Sequence, residues 1–235
     1  MVHTANANVE ARLGRWPYDD TVGRLILVDH RMQPTDDDVA RWVDIARGRG
    51  LRALRTGALF PPSDLPFRRA GFVAIDRLAL FSRPTRDTAP RPATPRGVRL
   101  TALRPWHLGR VADLDAEAFG PVWGNDRPAI EEIRNATPQH RARIAVDRSR
   151  VLGMAITGRA GATAYLQRLA VDPAERRRGI AQALVEDSLR WARRTRRIMV
   201  NTSVDNTAAI ALYDGLGFHR DEAALTVLEL DLADP

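Results

Sequence analysis

The chain has 235 residues, of which 44% are hydrophobic and 28% are charged, a balance typical of a globular protein of one large or two small domains. It contains no cysteine, which excludes disulfides, thiolate metal sites and a cysteine nucleophile. No apolar run reaches about 18 residues, as a bilayer span requires. The first eight residues lack the basic start and apolar core of a secretory signal. We therefore expect a cytoplasmic protein with no membrane partner.

The formal net charge of +7 comes from 36 basic residues, all of them arginine, against 29 acidic ones. A basic protein raises the question of a nucleic-acid partner. The excess is uneven, because residues 98–235 carry 20 arginines and 18 acidic residues, whereas residues 1–97 carry 16 and 11. The second half is nearly neutral, so we do not expect nucleic acid as a partner.

The first part of the chain has the pattern of a small αβ unit. Three aspartates, Asp36–Asp38, precede a helical stretch at Val39–Ala46, and aspartate is favoured at a helix N-terminus. Four prolines between Ser82 and Arg96 then indicate an extended linker with little to bury. We predict a half-domain at residues 1–81, a proline-rich linker at 82–97 and a second domain at 98–235.

The most informative segment is a strand, a basic turn and a helix between Tyr165 and Ala192. Tyr165–Val171 has strand composition, and Asp172-Pro173 ends it because proline cannot donate to a ladder. Helical spacing of apolar residues follows at Ile180, Leu184, Val185, Leu189 and Ala192. Gly179 and Ala181 leave the first backbone amides of this helix uncovered, and such amides at the positive end of a helix dipole form an anion site. With three arginines at 176–178 beside them, these amides predict a pyrophosphate site.

Two further motifs, Asp205–Tyr213 and Gly215–Phe218, follow at a spacing that chance rarely supplies. Together the three motifs resemble the GNAT superfamily of acetyl-CoA-dependent N-acetyltransferases, and the resemblance covers about residues 98–232. It implies a mixed α/β fold in which a splayed mixed sheet is flanked by helices. It also implies acetyl-CoA as the co-substrate and an amine as the acceptor.

The resemblance assigns roles to individual residues. The main chain at Leu169, Ala170 and Val171 is expected to hydrogen-bond the pantetheine arm like an added strand. Asn206 maps onto a residue that touches the pantetheine, and Tyr213 maps onto the tyrosine usually assigned as general acid for the departing thiolate. The pyrophosphate loop maps onto Arg176, Arg177, Arg178, Gly179, Ile180 and Ala181. No residue is assigned to a metal.

The general base and the acceptor stay open. The family often has a glutamate on the strand before the phosphate loop, whereas this strand reads Tyr-Leu-Gln-Arg at 165–168. Gln167 could hold a water through which the amine proton leaves, and Glu117, Asp126 and Asp147 are alternative carboxylates. The absence of cysteine favours direct transfer in a ternary complex to a protein N-terminus or a small-molecule amine. The missing glutamate leaves a second class open, a non-catalytic acyl-CoA-binding sensor or scaffold.

The first part of the chain also resembles the C-terminal half of the second, which suggests a duplication. An ungapped alignment of Leu51–Thr56 with Arg197–Thr202 continues to three further pairs: Phe67 with Tyr213, Gly71 with Gly217, and Phe72 with Phe218. In the first copy Asp36–Asp38 replace the basic loop and would repel pyrophosphate, and Phe67 has no proton to donate. We therefore predict a degenerate GNAT-like half-domain that cannot bind acetyl-CoA.

Overall fold

The computed structural model describes residues 9–28, 32–86 and 94–233, which form ten β-strands, six α-helices and two short 3₁₀ turns. The chain divides into two compact units. The first comprises residues 1–80, 203–205 and 221–235, and the second comprises residues 81–202 and 206–220. No helix within the described ranges combines the length and the apolar character that a membrane span requires.

The elements in chain order are β1 (Ala11–Trp16), β2 (Asp19–Leu27), α1 (Asp36–Gly48), β3 (Ala53–Thr56), α2 (Leu65–Arg69), β4 (Val73–Pro84), β5 (Val98–Ala102), α3 (Leu108–Trp123), α4 (Arg127–Asn135), β6 (Gln139–Asp147), β7 (Arg150–Ala160), β8 (Thr163–Val171), α5 (Ile180–Ala192), β9 (Arg197–Ser203), α6 (Thr207–Gly215) and β10 (His219–Asp231). Most of β4 and most of β10 belong to the first unit.

The first unit packs α1 and α2 on a small mixed sheet. In this sheet β1 and β2 are antiparallel, β2 and β3 are parallel, and β3 is antiparallel to β10. Helix α1 buries Val39, Trp42, Val43 and Ala46, which follow helical spacing and lie on one face. Their core also takes in Phe67 of α2, and Trp42 and Phe67 stack at 6.0 Å between ring centroids.

The second unit is built on the antiparallel strands β5, β6, β7 and β8, with β9 parallel to β8. Helices α3 and α4 contribute Leu108, Val111, Leu114 and Ile130 to a core with Ile144, Met154 and Ile156 of the sheet. Helix α5 buries the whole predicted apolar stripe, Ile180, Leu184, Val185, Leu189 and Ala192. The predicted mixed α/β fold with a mixed sheet flanked by helices is confirmed.

The sheet of the second unit opens between β8 and β9. These parallel strands pair only over Thr163–Tyr165 and Arg197–Met199, so the rest of β8 has no partner on that side among the described residues. Parallel strands otherwise pair with evenly spaced hydrogen bonds along their length. The strands therefore splay as predicted, and the gap leads toward the N-terminus of α5.

The two segments that the sequence aligns have the same order of elements and the same turn. Strands β1 and β2, α1, β3, α2 and β4 follow one another as β7 and β8, α5, β9, α6 and β10 do. After α2 the amide of Phe72 donates to the carbonyl of Phe67 at 3.1 Å, and after α6 the amide of Phe218 donates to the carbonyl of Tyr213 at 3.0 Å. The glycines that precede these phenylalanines both have positive φ, +91° and +73°. This geometry agrees with the predicted alignment.

The first copy differs from the second where a phosphate would bind. Thr35 caps α1 through a capping box, in which its hydroxyl accepts from the amide of Asp38 and the Asp38 carboxylate accepts from the amide of Thr35. All of β3 pairs with β2, without the splay seen between β8 and β9. Aspartates at 36–38 add negative charge to this helix end.

The structure divides the chain differently from the predicted domain limits. Residues 221–235 cluster with the first unit, because β10 pairs with β3. Ser82–Pro84 continue β4 rather than starting a linker, and Thr85 is buried and donates to the carbonyl of Thr195. Residues 87–93 of the proposed linker lie outside the described ranges.

Candidate active site

A cleft of roughly 700 Å³ lies in the second unit where β8 and β9 diverge. Its walls are the end of β8, the loop into α5, the first turn of α5, one face of α6 and the middle of α3. Nine of the ten predicted co-substrate residues line it: Leu169, Ala170, Val171, Arg176, Arg177, Gly179, Ile180, Ala181 and Asn206. Arg178 and the two predicted catalytic residues, Gln167 and Tyr213, are not among the lining residues.

The N-terminus of α5 presents free backbone amides to this cleft. Gly179 is the N-cap and has left-handed backbone angles, with φ +79° and ψ 4°, and no side chain among the described residues caps the helix. The amide of Ala183 bonds the carbonyl of Gly179 and so begins the helical ladder. The first-turn amides before it have no intrahelical acceptor, so they can bind an anion at the positive end of the helix. The predicted position of Gly179 at a helix start is confirmed.

The three consecutive arginines have different surroundings. Arg178 pairs with Glu175, whereas Arg176 donates to the backbone carbonyl of Ala118 on α3 at 3.2 Å. Arg177 has positive φ, +65°, which non-glycine residues adopt at some cost. No described residue pairs with its guanidinium, and Arg177 lines the cleft. The positive charge available to a ligand is therefore greatest at Arg177 and the neighbouring helix end.

A set of ion pairs holds the loop that carries these arginines. Arg150 of β7 bonds Asp172 at 2.6 Å and Glu175 at 2.9 Å. Asp172 also accepts from the amide of Ala174 at 2.9 Å. Burial raises the pKa of Asp172, but these hydrogen bonds and the Arg150 charge outweigh it and hold the pKa below its ordinary value. Asp172 therefore stays ionised, and the loop has a fixed start.

The pairing of β8 with β7 is interrupted by a bulge at Gln167. Ile156 pairs with Arg168 and Thr157 with Leu166, so Gln167 is the extra residue. The Gln167 Oε1 atom is buried and accepts no hydrogen bond from the described residues. Gly158 leaves room for it, because a Cβ there would lie 2.6 Å from this atom. The role of Gln167 in proton removal stays a prediction.

Helix α6 forms the floor of the cleft with small residues. Asn206 caps the helix by accepting from the amide of Ala209 at 3.1 Å, and Ala208, Ala209 and Ala211 line the cleft. Tyr213 follows one turn later, is 4% exposed and contacts Phe81 and Phe218. Burial raises the pKa of the Tyr213 phenol, which therefore keeps its proton at neutral pH. Its role as general acid stays a prediction.

The alternative carboxylates lie on different elements. Glu117 is exposed on α3, and Asp126 caps α4 by accepting from the amide of Ala129 at 3.0 Å. Asp147 ends β6 and is partly buried. None of the three lines the cleft. The structure therefore selects no base among them.

One buried ion pair beside the cleft was missed by the sequence reasoning. Asp115 of α3 is fully buried and accepts from Arg168 of β8 at 2.6 and 2.7 Å. These residues are far apart in the chain, and a lone Asp or Arg gives no sign of such a partner. The signal that was available is Gly120-Pro121, which marks the kink where α3 bends over the pair.

The residues present fit acetyl-CoA. Uncapped amides and Arg177 suit a pyrophosphate, the unpaired edge of Leu169–Val171 suits the amide groups of an extended arm, and the alanines of α6 leave space for it. An arginine and the positive end of a helix at one end, with an open strand edge leading inward, match a ligand with a charged head and a long neutral arm.

Comparisons with known proteins agree with this geometry. The model of the Acetyltransferase (GNAT) family matches residues 108–218. A mycothiol acetyltransferase of Salinispora tropica is 33% identical over 213 residues, which cover 81% of this chain and 67% of that protein. A mycothiol acetyltransferase of Catenulispora acidiphila is 26% identical over 217 residues, which cover 85% of this chain and 69% of that protein. The chain thus spans about two thirds of the length of these relatives.

A solved structure supports the fold. The tandem GNAT protein from the clavulanic acid biosynthesis pathway superposes with a TM-score of 0.66 at 17% identity and covers 96% of this chain and 79% of its own. At that identity the likeness shows the fold alone. Taken with the family match and the 33% identical relative, the cleft identifies the chain as a member of the GNAT family and an acetyl-CoA-dependent acetyltransferase.

Proposed function

We propose that this protein moves an acetyl group from acetyl-CoA to an amine by direct transfer in a ternary complex. The observation that carries the proposal is the cleft at the β8–β9 splay, which ends at the uncapped N-terminus of α5. The absence of cysteine from the sequence supports direct attack by the amine, because the most common acyl-accepting nucleophile is missing.

We assign the binding roles from the positions of the residues. The first-turn amides of α5 and Arg177 bind the pyrophosphate, with Arg176 nearby and Arg178 contributing less because it pairs with Glu175. The edge of Leu169–Val171 hydrogen-bonds the pantetheine arm, and Asn206 contacts it from the α6 side. Acetyl-CoA supplies the activated acyl group as a thioester.

We assign the proton transfers to Tyr213 and Gln167. Tyr213 comes directly after Leu212, which lines the cleft. Its phenol keeps its proton at neutral pH, so a proton is available for the departing thiolate. The unsatisfied oxygen of Gln167, at the bulge in β8, suits the positioning of a water through which the amine proton passes to solvent, while the amide itself takes up no proton. Both roles are proposals that single substitutions test.

The names of the relatives favour a small-molecule amine related to mycothiol over a protein N-terminus. We propose that the N-terminal part of the chain, about residues 1–81, is a degenerate GNAT-like half-domain, and that the second unit, residues 81–202 and 206–220, is the catalytic one. The capped, acidic α1 of the half-domain supports the view that the half-domain does not bind acetyl-CoA. We further propose a cytoplasmic location.

Incubation with acetyl-CoA and a panel of amines tests the proposal. The panel contains amino-sugar thiol precursors, aminoglycosides, polyamines and peptides with free N-termini. Product masses are read by mass spectrometry, because an acceptor with its own thiol would react with a thiol reagent. We expect one amine to gain one acetyl group. If CoA binds while no amine across the panel is acetylated, the protein acts instead as an acyl-CoA sensor or scaffold.

A further inference from the structure

Asp115 and Arg168 fasten α3 to the strand that forms one wall of the cleft. The Nε and Nη2 atoms of Arg168 donate to the two carboxylate oxygens of Asp115 at 2.7 and 2.6 Å. Arg168 Nη2 also donates to the carbonyl of Trp123 at 2.7 Å, and Asp115 accepts from the backbone amide of Asn125 at 2.7 Å. One ion pair thus holds both α3 and the segment that follows it.

The backbone of α3 is shaped to meet this pair. Gly120 has φ +75° and Pro121 follows it, so the helix kinks there. A Cβ on Gly124 would lie 2.9 Å from the Cα of Ala116, so the segment folds back closely on the helix. Phe119 lies one turn after Asp115 on the same face of α3, before the kink, and its ring packs against Arg168 with the guanidinium carbon 3.5 Å from the ring centroid. The ring of Phe119 is therefore fixed by stacking as well as by the fold.

Phe119 lines the cleft and packs on Arg168 of β8, while the carbonyl of the preceding Ala118 accepts from Arg176 of the basic loop. Leu169, which follows Arg168 on β8, also lines the cleft. The strands converge farther inward, at Tyr165 and Met199. The charged end of the cleft lies in the opposite direction along the chain, at the N-terminus of α5. With its pyrophosphate at the charged end, an acyl-CoA lying along β8 would carry its acyl group past Leu169, toward Arg168 and the Phe119 ring that packs on it.

We propose that Phe119, held by the Asp115–Arg168 ion pair, closes the acyl end of the cleft and restricts the donor to short acyl groups. The proposal rests on the proposed binding of acetyl-CoA in this cleft. A fixed aromatic ring rejects a longer chain because a packed wall cannot move without losing its contacts. Asp115 and Arg168 act as positioning residues, since they reach the acyl group only through Phe119.

Binding of acetyl-CoA and hexanoyl-CoA, measured by titration calorimetry, tests this without an acceptor. In the wild type we expect hexanoyl-CoA to bind at least about ten-fold more weakly than acetyl-CoA, as expected when extra methylenes meet a closed pocket. In Phe119→Ala we expect this ratio to fall to about one, because removal of the ring opens space for the chain. Val122→Ala is the matched control, since Val122 is 45% exposed on the same segment and does not line the cleft. It should keep the wild-type ratio.

The ion pair is tested with the double variant Asp115→Asn/Arg168→Met, which removes both buried charges together and so avoids leaving one unpaired. We expect the preference of the double variant for acetyl-CoA over hexanoyl-CoA to be lost, as in Phe119→Ala. If the ion pair only stabilised the fold, the folded double variant would keep the wild-type preference. Phe119→Val replaces Phe119→Ala if the alanine variant does not fold.

An equal affinity of the wild type for the two acyl-CoAs, or an unchanged ratio in the Phe119 variants, overturns the proposal. If the wild type prefers acetyl-CoA over hexanoyl-CoA as expected but acetylates no amine, only the proposed function is overturned. If the wild type binds neither acyl-CoA, the proposed function and the proposed role of Phe119 are both overturned.

Discussion

Replacing Gly179 by aspartate should abolish acetyl-CoA binding while leaving the protein folded. The new side chain has room, because the nearest atom to a Cβ at this position is Pro95 Cγ at 3.8 Å. Its carboxylate would accept from the first-turn amides of α5, as N-cap aspartates do, and would occupy the site with negative charge.

The size of the effect follows from the bonds that the phosphate would lose. Hydrogen bonds to a charged group contribute about 1.5–3 kcal/mol each, so losing two costs about 3–6 kcal/mol. At about 1.4 kcal/mol per ten-fold change, affinity should fall by roughly a hundred-fold to ten-thousand-fold. The positive φ of Gly179 adds strain of about 1–2 kcal/mol to the folded state, which is a loss of stability and not of affinity.

Gly161→Asp is the control that separates the effect of backbone strain on stability from the effect of a carboxylate at the phosphate site. Gly161 also has positive φ, +55°, and no atom lies within 4 Å of where a Cβ would be added. It does not line the cleft. Thermal unfolding should show a similar stability loss in both variants, whereas titration calorimetry should show weakened acetyl-CoA binding only in Gly179→Asp. A folded Gly179→Asp protein that binds acetyl-CoA within about three-fold of the wild type would refute the site, since even one lost charge-assisted bond exceeds that change.

Three further predictions address single residues. Tyr213→Phe should lower turnover roughly ten-fold to thousand-fold with little change in acetyl-CoA affinity, because a phenol at the leaving group acts when thiolate charge develops; unchanged turnover on the identified acceptor would leave Tyr213 a packing residue. Arg177→Ala should weaken acetyl-CoA binding by about ten-fold, the loss of one charge-assisted bond, whereas Arg178→Ala, whose guanidinium pairs with Glu175, should change it less; the reverse order in calorimetry would contradict the loop assignment. Asp187→Asn should lower the free energy of unfolding at pH 7 by about 3 kcal/mol, because it breaks the buried pair with Arg141. Burial raises the pKa of Asp187, but the hydrogen bonds and charge of Arg141 outweigh it, so the folded pKa lies below the ordinary value of 3.8. The stability that the pair contributes is therefore fully present above pH 3.8 and is lost as the pH falls through the folded pKa. Denaturant titrations in which the variant and the wild type differ equally at pH 7 and at pH 2 would disprove this linkage.

The parts of the fold that the sequence predicted are those with local signals. The apolar stripe of α5, the end of β8 at Asp172-Pro173 and the glycine N-cap all follow from periodicity and backbone restrictions within a few residues. The matched turns after Phe67 and Tyr213 were likewise visible as a repeated spacing. Such features depend on short stretches of chain, so a single sequence carries them.

The parts that the sequence did not predict depend on distant partners. Asp115 and Arg168 meet only when α3 packs on β8, and β10 joins the first unit because it pairs with β3. The sequence also did not show that Arg178 pairs with Glu175, so its place among the three predicted phosphate ligands stays a prediction. A run of charges alone does not show which of its side chains already have a partner.

A crystal structure of the protein with CoA bound tests the central claim most directly. We expect the pyrophosphate against the first-turn amides of α5 and Arg177, and the pantetheine arm along Leu169–Val171 in the gap between β8 and β9. CoA bound elsewhere, or a pyrophosphate that makes no contact with the N-terminus of α5, would contradict the account.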